Sequence, residues 1–524
     1  MRNRWIGVML GVLMLLGVTG CGEVKPVESE ATQISLDWYV NYSWFATPWG
    51  GNVVSDTITE ETGVSVNFIS PIGNETEKLN ALIASDTLPD IITLGYWEPQ
   101  VDEMIQKDMV YALNELADEY EPYFWEVTDE AAINWYTKAD GNIYAYPNSS
   151  ISPQDLEENS YIGSNQTFLV RKDIYEAIGS PDMTTREGFV AAVEKAASMF
   201  PLVDGKPLIP VGSHTFDNEG NVSFDKYLMN FLAIPWEKNG ELYDRYTDEE
   251  YIKWLKMFRE LNEKGLLATD IFVDTRTQME EKLAEGRYFC MIYQYTDMLS
   301  QQKMLYEADA NKIYIAVEGP RNANGDEPTL PCNGVNGWTL TMISKNCENP
   351  DKAIEFISYL LSEQGQLRTY LGVEGVTYDM VEGKPVWKSE VKELLDKDRE
   401  AFDQRYGADN TYWMFQDTVM QQKWSQEASP AEEQLREWST KYVVYNGPYE
   451  VYLPLGNEAA STDNRIRKLW SETLPQLLRA ESEEAFDAIM ADFVAKREEI
   501  GFSLYMKAAT EYMNEAKKKL GLME

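Results

Sequence analysis

The sequence predicts an α/β protein with a parallel sheet and two large domains. Two observations carry this, and a third bears on where the chain resides. Residues 34–94 alternate strand, helix, strand, helix, strand, the pattern of a parallel α/β sheet. The chain has 524 residues, whereas one hydrophobic core stops growing near roughly 250–300. At the N-terminus, Met1-Arg2-Asn3-Arg4 precedes a largely apolar run from Trp5 to Gly20, and then Cys21. A basic start, a short apolar core and a small-residue exit describe an export signal. A spanning helix needs roughly 20 apolar residues, and this run is shorter and enters polar sequence.

Val18-Thr19-Gly20-Cys21 resembles the bacterial lipobox, whose cysteine is lipidated and becomes the mature N-terminus. That resemblance makes residues 1–20 a signal peptide, Cys21 the lipidation site and residues 21–33 a lipidated tether. An ordinary signal peptide with a chance cysteine is the plainer alternative. Each buried methylene contributes about 0.8 kcal/mol, so two or more chains hold a protein stably on a membrane. Ten flexible tether residues span less than about 20 Å and keep the folded body close to that surface. Structure then begins with Ile34, Leu36, Trp38 and Val40 on one face of a period-two strand. Residues 57–62 read as a helix stopped by Gly63, and Val64, Val66 and Phe68 as the next strand. Asn74 can cap a helix with Leu79, Leu82 and Ile83 inward, before the apolar run Ile91 to Leu94. Ligands of such sheets bind beyond the carboxyl ends of the strands, here Tyr42-Ser43-Trp44-Phe45 and Gly95-Tyr96-Trp97.

Further on, Thr184 with Glu187 and Thr247 with Glu250 read as capping boxes. The second opens a stripe of Tyr251, Trp254, Leu255, Phe258 and Leu261, which makes Trp254 a core residue. Asn349 caps a helix with Pro350 in its first position. Short strands are expected at 167–170, 288–293 and 313–317, and helices fill the C-terminal stretch from about 465 to 520.

Net charge is −41, and −43 once Arg2 and Arg4 leave with the signal. Such a surface repels nucleic acid and anionic lipid head groups. Nucleic-acid binding is therefore excluded, and the charge reads as a solvated acidic exterior. Beyond Cys21, three cysteines remain: Cys290, Cys332 and Cys347. An odd number of thiols is no disulfide framework. Cys332 and Cys347 could pair across a hairpin or stand apart, and Cys290 reads as a buried structural thiol. A single histidine, His214, rules out most zinc enzymes. It reads as a surface or loop residue. Fifteen tryptophans, 31 tyrosines and 18 phenylalanines exceed what a core needs.

Residues 77–92, Glu-Lys-Leu-Asn-Ala-Leu-Ile-Ala-Ser-Asp-Thr-Leu-Pro-Asp-Ile-Ile, resemble the helix-to-strand segment of extracellular solute-binding proteins. The similarity is to the large lipoprotein branch of family 1, whose members bind oligosaccharides for ABC importers. It continues through Asp140-Gly141-Asn142-Ile143-Tyr144-Ala145-Tyr146-Pro147 and Phe168-Leu169-Val170-Arg171-Lys172-Asp173. Asn336-Gly337-Trp338, Asn349-Pro350-Asp351 and Gly372-Val373-Glu374-Gly375 follow. The resemblance implies a two-lobed, periplasmic-binding-protein-like α/β fold with parallel-rich sheets, a hinge and an interlobe ligand cleft. Lobe 1 would hold residues 34–150 with 315–375, and lobe 2 residues 165–310 with 385–524. Crossings are expected near 147–166, 311–320 and 372–385. Some family members carry a calcium loop after the helix equivalent to 184–199. Here only Asp204-Gly205 of such a loop survives, and calcium needs six or more oxygens. Neither a metal nor another cofactor is expected.

Sugars present C–H patches that suit aromatic faces and hydroxyls that suit Asp, Asn, Gln and Arg. The candidates are Trp44, Trp97, Trp338, Tyr295, Trp413 and Trp236 for stacking, with Asn333, Asp297 and Arg405 for hydroxyls. The expected protein is a lipid-anchored, monomeric receptor on the extracytoplasmic face of a bacterial membrane. It would capture an oligosaccharide and pass it to ABC permease subunits without acting as an enzyme. Two rivals are a binding protein for a non-sugar solute such as a peptide, and an anchored glycoside hydrolase. The hydrolase needs two carboxylates about 5–10 Å apart, and 87 acidic residues always offer a pair.

Overall fold

The computed structural model describes residues 33–216, 220–454 and 456–523. The expected signal, Cys21 and the tether up to residue 32 lie outside the described residues. No described helix is long and apolar enough to cross a membrane.

The first strand, β1 (Ile34–Val40), sends Leu36, Trp38 and Val40 to one core and Tyr39 to a second layer behind the sheet. Helix α1 (Val53–Thr62) starts at Asn52, whose side chain accepts from the Ser55 amide, and ends at Gly63 with φ of 72°. Then follow β2 (Val64–Ile69), α2 (Glu75–Ser85), capped by Asn74, and β3 (Ile91–Gly95). β1 pairs in parallel with both β2 and β3, as the strand–helix alternation requires. After several short helices, β4 (Tyr146–Pro147) ends the chain's first passage through this lobe.

The second lobe contains β5 (Gln166–Arg171), α3 (Arg186–Met199), β6 (Ile209–Gly212), α4 (Glu249–Glu263), β7 (Tyr288–Gln294) and β8 (Tyr314–Ala316). Its sheet runs β8–β5–β7–β6, with β7 and β6 parallel and β5 antiparallel to β7 and β8. The chain then returns through β9 (Leu330–Pro331) to β10 (Thr339–Ile343) and α5 (Pro350–Leu361). The first sheet is thereby ordered β2–β1–β3–β10–β4, with β10 antiparallel to β3 and β4. Both sheets are therefore mixed. β5 and β10 run against their neighbours because each arrives from the other lobe and enters its sheet at the crossing end.

Two helix starts lie one residue beyond the expected caps, for a shared reason. Thr184 and Thr247 give their hydroxyls to Asp182 and Asp244, so Thr185 and Asp248 cap α3 and α4 instead. Trp254 is buried in the second core and donates to the Arg321 carbonyl.

The last third departs from the expected boundaries. Residues 378–387 form a hairpin, Tyr378–Val381 with Lys384–Trp387, rather than a crossing. Val391, Phe402, Tyr406 and residues 412–415 then pack into the first core. The segment from 385 to 415, expected in lobe 2, thus belongs with lobe 1. Its turns at Gly375 and Gly383 sit at positive φ and mimic linker sequence. The third crossing falls between Phe415, in the first core, and Leu435, in the second. Beyond it, β11 (Val443–Val444) pairs in parallel with β9. Helices α6 (Glu458–Leu478), α7 (Glu483–Ile500) and α8 (Phe502–Lys519) follow. Trp470, Leu474 and Phe486 join the second core, and Trp470 donates to Asp225 Oδ1 at 2.7 Å.

Where the crossings meet they make a small core of their own. Ile151 and Ile162 from the first, Cys332 from the second, Val419 from the third, and Val443 and Tyr445 from the stretch beyond it pack together. The Ile151 amide donates to Gly334 O at 3.1 Å, and the Tyr445 hydroxyl accepts from the Val335 amide at 3.2 Å. Cys290, Cys332 and Cys347 are all free and buried. Cys332 lies in this pivot and Cys347 in the first core, so the pairing weighed above does not form.

Candidate functional site

The crossings define which end of each sheet faces the other lobe. The chain leaves β4 after Pro147 and enters β5 at Gln166, then leaves β8 after Ala316 and enters β10 at Thr339. The carboxyl ends of β1 and β3 share that end of the first sheet, and those of β6 and β7 share it in the second. Small voids of about 10 Å³ exist inside each core, under Trp38 and Phe68 and beside Phe168 and Phe224. Each holds about one water and is too small for a larger ligand.

On the first lobe this end is aromatic. Tyr42 lies 5.4 Å from Trp44, 5.6 Å from Trp338 and 5.7 Å from Trp413, ring centre to ring centre. Trp413 lies 4.4 Å from Trp338 and 5.6 Å from Trp44. Three separate stretches of sequence thus build one platform. Trp44 is 60% exposed while Trp413 is 8% exposed and rests on Phe45, so the platform grades from open rim to core. The loop after β1 is pinned by carboxylates. Glu98 accepts from Asn41 Nδ2 at 2.6 Å and the Gly95 amide at 2.7 Å, and Glu75 accepts from the Ser43 amide at 2.7 Å. Gly337, at φ of 63°, lets Trp338 approach: a Cβ there would sit 1.9 Å from Asn148 O. Asn148 ties the platform together by accepting from the Thr339 amide and donating to Trp413 O. The Tyr42 hydroxyl and Trp413 Nε1 are buried without a partner. Such groups cost free energy unless something completes them. Burial, then Glu98 and Glu75, push the Tyr42 phenol far up.

The facing end of the second lobe is polar. The His214 ring lies 4.3 Å from Tyr293 and 5.7 Å from Tyr227. Its amide donates to Ser223 Oγ at 2.8 Å, and its carbonyl accepts from Asn221 at 2.7 Å. Tyr227 donates to Gln294 Oε1 at 2.6 Å. His214 Nε2 and the Tyr293 hydroxyl are buried without a partner. Burial pulls His214 down to about 3, with Arg276 adding to the shift, so the ring is neutral at physiological pH. It is a loop residue, as expected, yet largely enclosed rather than on the surface. The reason is the two tyrosine rings that cover it.

The remaining candidates divide. Asp297 lies just past this wall, paired with Arg276 at 2.8 Å, and the Tyr295 amide donates to Asn165 O beside it. Trp97 is at the platform's end of the sheet, 47% exposed, and touches Tyr96 rather than the cluster. Trp236 stacks on Tyr449 at 5.7 Å with Arg245 over its ring, which ties it to the third crossing's return. Asn333 is exposed in the second crossing. Arg405 is exposed at a helix end over its neighbour Tyr406, so the helix that carries it keeps it out of the cluster. Sequence reasoning did not single out Tyr42, Asn148, His214 or Tyr293. Tyr42 opens a segment marked as ligand-facing and Asn148 lies in the expected first crossing; the second pair had no such signal. Among the described residues no group of side chains could hold a metal ion.

The family model described as bacterial extracellular solute-binding protein matches residues 54–392. Lipoprotein LipO of Bacillus subtilis (strain 168) is 24% identical over 405 residues, 73% of this chain and 75% of its own. The polygalacturonan/rhamnogalacturonan-binding protein YtcQ of the same organism is 21% identical over 409 residues, 74% of this chain and 77% of its own. Among solved structures, the ABC-transporter substrate-binding protein FusA of Streptococcus pneumoniae with kestose superposes with a TM-score of 0.71 at 16% identity. That match covers 92% of this chain and 99% of FusA.

Proposed function

The chain belongs to the bacterial extracellular solute-binding proteins, and from that premise we propose that it captures an oligosaccharide between its lobes and presents it to an ABC permease. The observation that carries this reading is the convergence of Trp44, Trp338 and Trp413 on Tyr42 at the end of one lobe that faces the other. Stacked faces suit sugar C–H patches, and the unpartnered Tyr42 hydroxyl and Trp413 Nε1 suit sugar hydroxyls. Two of the relatives named above bind glycans, by their names or bound ligand, which favours the same class. Closure about the pivot of Ile151, Cys332 and Tyr445 would bring His214 and Tyr293 over the bound ring. No bond is broken. The chain is extracytoplasmic, and in this reading it is a monomer held to the membrane through lipid on Cys21.

Affinity is expected near micromolar, about −8 kcal/mol. Tryptophan fluorescence of the full-length protein in mild detergent, titrated with a panel of neutral and acidic oligosaccharides, tests the reading. A saturable shift with one glycan class, lost in the Trp44→Ala/Trp338→Ala double variant, supports it. Silence across the panel from a folded protein, with a saturable shift on peptides, overturns it.

A further inference from the structure

Carboxylates predominate beside the two walls. Beside the platform stand Glu75 and Glu98, both fixed by hydrogen bonds to the loop that presents Tyr42 and Trp44. Their charges bear on Tyr42. Beside the polar wall stand Asp297 and Glu280, whose charges bear on Tyr293, together with Arg276. Arg276 is not available to a ligand anion. Its Nε donates to Glu280 at 2.6 Å and its Nη2 to Asp297 at 2.8 Å. The one imidazole in the chain, which could otherwise supply a second cation, is enclosed by Tyr293 and Tyr227. The groups named on the two walls amount to four carboxylates against one guanidinium already held by two of them.

We infer that the cleft selects an uncharged oligosaccharide and excludes uronates, a choice that rests on the oligosaccharide reading and narrows it. The unpartnered polar atoms of both walls are neutral groups that are buried here and reachable only as the side chains over them shift: the Tyr42 hydroxyl and Trp413 Nε1 on one, and His214 Nε2 and the Tyr293 hydroxyl on the other. These groups can bond a hydroxyl or a carboxylate oxygen, but none carries the positive charge that would offset a carboxylate's. A carboxylate brought between the walls would lose its water and meet like charge, with no bidentate arginine to repay the loss. Like charge juxtaposed in an interface suppresses the wrong partner more than it changes the right one. An acidic ligand of the kind that YtcQ's name records would need a cation the named groups do not leave open.

The test uses a matched pair. The neutral oligosaccharide that gives the strongest fluorescence shift with full-length protein is compared with the same oligosaccharide after oxidation of its primary hydroxyls to carboxylates. Titrations are run at low and at high salt. The inference expects the oxidised form to bind roughly tenfold or more weakly at low salt, with the gap shrinking as salt screens the walls. Oxidised sugar that binds as well as the neutral one, or a uronate oligomer that binds best in the panel, overturns it while leaving the oligosaccharide reading intact. Binding of no glycan of either charge, while peptides bind, overturns both.

Discussion

The platform and the polar wall each lie at the crossing end of their sheet but are built on different principles. The platform is continuous with its lobe's core. Trp413 packs on Phe45, and both belong to the cluster that contains Trp38 and Phe356. The polar wall is an arrangement of hydrogen-bonding loops laid over a core, with His214 held by its backbone through Ser223 and Asn221. The first can supply contact area at little entropic cost; the second supplies direction. Under the function proposed above, a receptor that divides stacking and hydrogen bonding between lobes would engage fully only when closed, making ligand binding and closure one equilibrium.

The difference predicts opposite responses to substitution. The largest effect is expected from Trp413→Ala, which opens the platform and its core together. It should cost roughly 3–5 kcal/mol of stability by urea denaturation, besides affinity. A loss under about 1 kcal/mol would show that the ring is merely laid on the core. His214 tests the other wall through pH. Its folded value, about 3, lies below the unfolded value of about 6.5. Between these the unfolded chain binds the proton that the folded chain refuses, so this contribution is full above pH 6.5 and falls away toward pH 3. Roughly 4–5 kcal/mol should be lost over that window, and His214→Phe should flatten that part of the profile. A His214→Phe profile that coincides with the parent would remove the enclosed-imidazole picture.

Smaller effects sharpen the boundary of the platform. Trp338→Ala should weaken sugar binding about 10–30-fold with the fold kept, because Gly337 and Asn148 still set the backbone. Trp97→Ala should weaken binding less than about threefold, since its ring contact is with Tyr96 rather than the cluster. Equal losses at Trp97 and Trp338, read by the same titration, would extend the platform across the full width of the sheet.

Local pattern carried much of this architecture. The alternation of Ile34, Leu36, Trp38 and Val40, the Asn74 cap and the Gly63 stop lie in the elements expected of them. Helix starts shifted where a second aspartate competed for the capping hydroxyl, as Asp182 does for Thr184. Trp44, Trp338 and Trp413 were visible one by one through their polar or strand-end settings. Their convergence was not, because it joins residues some 370 positions apart through the return of β10 and the segment 387–415. His214 was illegible for a related reason. The tyrosines that enclose it come from separate elements, and nothing beside it in sequence announces burial.

The interleaving of the lobes also has a temporal side. The first core is incomplete until Phe415 arrives, and the second needs Phe486 and Phe493, although it begins at Phe168. A chain emerging from its N-terminus therefore cannot finish either lobe before about four-fifths of it is available. Contacts of such long sequence separation make for slow folding. The nascent protein would stay open and unpaired through most of its passage out of the cell, which suits export in an unfolded form and exposes it to proteases until the last helices pack.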